Sequence, residues 1–186
     1  MTPGAHSGDS MDLGDHLKAT IRTVPDFPID GIQFRDITPV LYDPVLMGRV
    51  MDSFEGHART HAPTCVAGPE ARGFIFGPLL AMRLNLPFIP IRKPGKLPHK
   101  TVSVRYSLEY GTNELQMHED ALGPADRVIL VDDLLATGGT VEAAASLISK
   151  AGAETVAALF LIELEGLDGR VRLGPIPTHS LVHLPA

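Results

Sequence analysis

Two adjacent carboxylates followed by a threonine- and glycine-rich turn make VILVDDLLATGGT, residues 128–140, the most chemically specific stretch of the chain. Val128 to Val131 read as a buried strand, Asp132 and Asp133 stand at its C-terminal end, and Thr137, Gly138, Gly139 and Thr140 lead into a helix. A helix start presents unpaired backbone N–H groups and a partial positive charge, which suits a phosphate. Glycines let the backbone approach closely, and threonine hydroxyls add donors. The acids cannot serve the phosphate itself, but they can accept hydrogen bonds from sugar hydroxyls. Alone, TGGT is a weak signal, and a turn carrying two solvated acids is the ordinary alternative. A nucleotide-hydrolysing domain also ends a strand in acids, but it needs GxxxxGK[ST]. The nearest string, GPEARGFIFG, lacks the lysine, and GxGxxG is missing as well.

Such a turn needs a frame, and the apolar patterning predicts one. Leu13, Leu17 and Ile21 share a face of a helix from about Met11 to Val24. FPIDGIQFRDITPVL is too rich in Pro, Gly and Asp for regular structure, and a helix follows from about Pro44 to Ala58. Then TCVAG and PFIPIR read as strands around a helical ARGFIFGPLLAMRLN, and VSVRYSLEYGTNELQMH reads as a hairpin around Gly111. GGTVEAAASLISKAG is a helix stopped by Gly152, and TVAALFLIEL is another buried strand. This alternation predicts an α/β fold, a mainly parallel sheet flanked by helices, with ligands beyond the C-terminal strand ends.

The remaining composition bounds the function. The 186 residues suit a disordered tail at 1–10 and a single domain over 11–186. With 44% apolar and 20% charged residues and a net charge of -6, no bulk attraction to nucleic acid or acidic membranes is expected. Cys65 is the one cysteine, so a disulfide within the chain is impossible and a cytoplasmic setting is expected. It reads as a buried strand residue rather than a nucleophile. The N-terminus has no signal-peptide pattern, and no stretch is apolar enough to span a bilayer. His57 and His61 share helical spacing without a third ligand, and are expected on a solvated face.

The full string of apolar run, acid pair and A-T-G-G-T before a helix resembles the phosphoribosyl pyrophosphate (PRPP) motif of type I phosphoribosyltransferases. Four further segments, FPIDGIQFRDITPVL, GPEARGFIFGP, IRKPGKLP and YSLEYGTNEL, resemble the adenine-specific branch in order and spacing. The resemblance runs from about Val24 to the C-terminus. It implies the type I fold with a small N-terminal hood (about 24–40) and a mobile flap (about 97–113). It also implies conversion of adenine and PRPP to AMP and pyrophosphate, Mg²⁺ carried mainly by PRPP without a dedicated protein site, and a homodimer.

By position, Asp132 and Asp133 would bind ribose, and Ala136, Thr137, Gly138, Gly139 and Thr140 the 5-phosphate. Gln33, Phe34, Arg35 and Ala136 would bind the base, with Phe34 stacked on it. From the residues alone, the favoured reading is Phe34 as core, with Arg35 pairing Asp36. Arg72, Arg92, Lys93, Lys96 and Tyr110 would bind pyrophosphate; an ordinary first-turn arginine and a charged loop tip are the plainer alternatives. Glu109 would be catalytic, exchanging a proton with adenine N7; on an exposed hairpin it would be merely solvated. Relatives acting on 6-oxopurines usually carry Asp where this chain has Ala136, which favours Glu109 as the acid. Rival readings are transfer to another base, or a PRPP-binding regulator of RNA or transcription, which should show a basic face or an added DNA-binding domain.

Overall fold

The computed structural model describes residues 11–107 and 112–186. Asp12 caps the first helix by accepting from Gly14 N at 3.0 Å. That helix, α1 (Leu13–Thr20), ends four residues before Val24, because the chain straightens into β1 (Arg22–Pro25). β1 pairs antiparallel with β2 (Gln33–Asp36), and the short α2 (Thr38–Leu41) follows. The segment expected to be irregular therefore holds a strand and a helical turn. Strand pairing and the bond from Thr38 N to Asp36 Oδ1 (2.9 Å) override its composition.

α3 (Pro44–Arg59) opens on Pro44, with Asp43 Oδ1 accepting from Val45 N and Leu46 N. Next come β3 (Cys65–Pro69), α4 (Gly73–Leu84) and β4 (Phe88–Ile91). β5 (Thr101–Ser107) and β6 (Thr112–His118) form the expected hairpin. The chain closes with β7 (Arg127–Leu135), α5 (Gly139–Lys150), β8 (Glu154–Glu165), α6 (Gly169–Arg172) and β9 (Thr178–Pro185). Neither α6 nor β9 is anticipated by the sequence reading.

Five strands form one parallel sheet in the order β4-β3-β7-β8-β9. Side chains alternate between two cores: Ile129 and Val131 of β7 join Val50, Phe54 and Phe76, while Val128 and Leu130 join Ala144, Leu147 and Met117. A sheet covered on both faces needs this near-continuous apolar run. Burying each large side chain contributes roughly 1.5–3 kcal/mol.

Order matters for function. The crossover after β3 leads outward to β4, and the crossover after β7 leads the other way to β8. The loops after β3 and β7 therefore flank a switch point, where a crevice opens. β3 pairs with β7 only as far as Ala67↔Leu130, whereas β7 stays paired with β8 to Leu135↔Glu163. The strand thus continues through the acid pair instead of ending before it, because the long β8 holds its far side.

Candidate active site

Asp132 and Asp133 lie on β7 just past the point where β3 peels away. Successive residues of a strand face opposite sides, yet both acids border the cleft formed with Arg72 and the loop 136–140. Asp133 is the one charged side chain that is fully buried among the described residues, and Arg72 forms an ion pair with it through Nε. Asp132 Oδ1 accepts from Asp133 N at 2.9 Å. Although part of Asp132 reaches the cleft surface, burial of its carboxyl pushes its pKa well above the ordinary carboxylate range, and the Asp133 charge adds to the rise. The pair thus resists a second negative charge.

Gly138 adopts a positive φ of 81°, which turns the loop into α5. A Cβ there would lie 2.7 Å from Gly169 O, and one on Gly139 would lie 3.2 Å from Arg172 Nη1. The loop therefore rests against α6, and a Cβ on Gly169 would collide with Ala136 O. Gly138 and Gly139 are buried, whereas Thr137 is exposed and Thr140 half-buried. Gly138 is therefore a packing requirement as well as a way to bare N–H groups.

Phe34, on β2, is half-buried, which departs from the core alternative. Its ring meets Phe27 edge-on at 5.1 Å, and the Arg72 guanidinium sits 5.5 Å from its centroid. Arg72 thus spans the acid pair and the aromatic. Arg35 does not pair with Asp36. It donates to Thr23 Oγ1 (2.5 Å) and Pro185 O (2.6 Å), tying the hood to β9, while Arg22 stands 3.6 Å from Asp36. Gln33 is exposed at the edge of the hood.

The cations after β4 are organised differently. Arg92 Nε donates to Glu70 Oε2 at 2.7 Å and its Nη1 to Lys96 O at 3.0 Å, so its guanidinium shapes the loop. Glu70 also accepts from Lys93 N at 2.9 Å. Burial opposes the Glu70 charge, but these bonds outweigh it and hold its carboxyl below the usual range. Lys93 and Lys96 are exposed and, among the described residues, make no ion pair. Glu109 and Tyr110 lie outside the described residues.

Elsewhere, Cys65 is buried, and burial pushes its thiol up, away from nucleophilic chemistry. His57 and His61 are not on a solvated face: both are half-buried against His179 of β9, with ring centroids 4.3 and 5.6 Å away. His57 stacks on His179 instead of converging with it, and no group of three or more His, Cys, Asp or Glu among the described residues could hold a metal ion. No helix among them is long and apolar enough to cross a membrane. Gly169 and Arg172, which wall the loop, are missed from sequence. The short GLDGR segment, with its close pair of glycines, is the signal that could have found them.

Comparison with known proteins fixes the family. Residues 46–175 match the model of the phosphoribosyl transferase domain. Adenine phosphoribosyltransferase of Myxococcus xanthus is 52% identical over 174 residues, 94% of this chain and 95% of the relative. A crystal structure of adenine phosphoribosyltransferase from Thermoanaerobacter pseudethanolicus superposes with a TM-score of 0.89 at 46% identity, covering 91% of this chain and 99% of that one. The Saccharomyces cerevisiae adenine phosphoribosyltransferase, solved with adenine and an imino-altritol bisphosphate, gives 0.86 at 35% identity, covering 91% and 98%. With the acid pair, the glycine loop and the switch-point cleft in one place, the chain belongs to the phosphoribosyltransferase family, in its adenine branch.

Proposed function

We propose that this chain transfers the ribose-5-phosphate of PRPP to adenine, giving AMP and pyrophosphate. The observation that carries the reading is the Phe34–Arg72–Asp133 link, which joins an aromatic ring to the cleft lined by Arg72, the acid pair and the loop 136–140. In this reading the loop N–H groups and the Thr137 and Thr140 hydroxyls hold the 5-phosphate. Asp132 and Asp133 accept from the ribose hydroxyls. Phe34 stacks on adenine, backbone groups of Gln33 and Arg35 meet its edge, and Ala136 leaves room beside it.

Adenine N9 attacks ribose C1 as the C1–O bond to pyrophosphate breaks. Positive charge on the ring is then met by the nearby acids, and the negative charge on pyrophosphate by Arg72, Lys93, Lys96 and Tyr110, with Arg92 shaping their loop. Glu109 takes the proton that N7 sheds as the base becomes bonded. Mg²⁺, held chiefly by PRPP oxygens, would neutralise charge on the diphosphate; an acid pair whose second charge is disfavoured while nothing offsets it fits such a neighbour. A homodimer accords with α4, which buries Phe76, Leu80 and Ala81 yet leaves Leu79 and Met82 exposed. A cytoplasmic setting accords with one buried, unpaired cysteine.

The test is nucleotide formation from PRPP, Mg²⁺ and each of adenine, hypoxanthine, guanine, xanthine and orotate. AMP from adenine alone is expected. IMP or GMP instead would mean that Ala136 and the hood are misread. Intact PRPP binding without product would move the chain to the regulator class. Glu109→Ala should lower kcat by about 100-fold or more, as expected for loss of proton transfer.

A further inference from the structure

One contact outside the roles above joins the flap to the phosphate loop. The Tyr106 hydroxyl, on β5, lies 3.4 Å from Thr140 Oγ1 at the start of α5. Its ring carbons stand 3.7 and 3.9 Å from where a Cβ on Gly139 would be, so the ring lies within van der Waals reach of the loop. At the other end of α5, Lys150 Nζ donates to Ser103 O at 2.8 Å. β5 is therefore fastened to α5 at both ends, and Tyr106 is the fastening three residues before Glu109.

We infer that Tyr106 is a positioning residue for PRPP, fixing the direction in which the Thr140 hydroxyl donates. A phosphate oxygen can only accept. Once Thr140 gives its single proton to the 5-phosphate, it can only accept in any hydrogen bond it shares with Tyr106. Tyr106 is the hydroxyl placed to supply that bond. The same contact lets the occupied loop hold the root of the flap. The inference rests on the phosphoribosyl-transfer reading of the loop.

The decisive experiment measures PRPP–Mg²⁺ binding calorimetrically, and the KM of each substrate, for the wild type, Tyr106→Phe, Thr140→Val and the double variant of the full chain. Tyr106→Phe keeps the ring and removes the donor. It should weaken PRPP binding and raise the PRPP KM by about 3- to 10-fold, the effect of one neutral hydrogen bond, with the adenine KM and melting temperature unchanged. The double variant should be no worse than Thr140→Val alone, since the tyrosine acts through the threonine. Unchanged PRPP affinity in Tyr106→Phe, a parallel rise in both KM values, or additive losses in the double variant would each overturn the inference. Because PRPP binding is read without adenine, a wild type that binds PRPP but makes no AMP would sink the transfer reading and still decide the role of Tyr106.

Discussion

Around residues 136–140, backbone packs on backbone: Gly138 faces Gly169 O, Gly169 faces Ala136 O, and neither could take a side chain without displacing a carbonyl. Around residues 22–36, a two-stranded ribbon hangs by side chains. Arg35 reaches Thr23 and Pro185, Phe27 props Phe34, and Arg72 leans on the ring. The loop is set by sterics, which tolerate almost no change. The hood is set by a few polar and aromatic contacts, each of which can be weakened separately. Under the proposed function, the rigid loop would take the phosphate and the adjustable hood the base.

The sharpest way to break this contrast is Gly169→Ala, whose methyl must displace Ala136 O. It should cost about 2–4 kcal/mol of stability and weaken PRPP binding by roughly 100-fold, read by calorimetry and thermal melting. Near-wild-type behaviour would show that the loop is not sterically set. Next, Phe34→Ala should raise the adenine KM by about 10- to 100-fold, since stacking a base on an aromatic is worth about 1–3 kcal/mol. The PRPP KM and the melting temperature should hardly move. A smaller effect is expected for Arg35→Ala, which removes both ties of the hood: the adenine KM should rise by about 3- to 10-fold in steady-state kinetics, with PRPP affinity again spared.

The smallest effect concerns acid. Burial raises the Glu163 pKa, but hydrogen bonds from Arg170 and Ser180 outweigh it, so the carboxyl sits below its ordinary value. A depressed acid stabilises the fold above its unfolded pKa, and that contribution is lost as pH falls through the folded value. The melting temperature of the wild type should therefore drop more steeply than that of Glu163→Gln from about pH 5 to about pH 3. Arg170 adjoins Gly169, so the loop side should loosen first and the hood should be indifferent. Parallel melting curves would remove Glu163 from the account.

Much of this architecture is legible in order along the chain. The strands of the sheet up to β8 announce themselves by short apolar runs, and α5 by its periodicity and the stop at Gly152. The acid pair and TGGT are local patterns, so the glycine-rich turn into α5 is readable without neighbours. The hood strands are not, because Gln33–Asp36 becomes a strand only by pairing with Arg22–Pro25. The partners of Arg35 and Arg92 are equally invisible: Pro185 lies 150 residues from Arg35, and Glu70 lies 22 from Arg92. His179 hides for the same reason, since its contact with His57 and His61 depends on β9 lying beside β8.

Arg72 touches both Asp133, assigned to the sugar in the proposed function, and the ring of Phe34, assigned there to the base. A ligand that draws this guanidinium away from either partner alters the free energy of the other. The resulting coupling is reciprocal: whatever factor PRPP imposes on adenine affinity, adenine must impose on PRPP affinity. Under the proposed function, the two substrates would be thermodynamic effectors of one another through a single side chain.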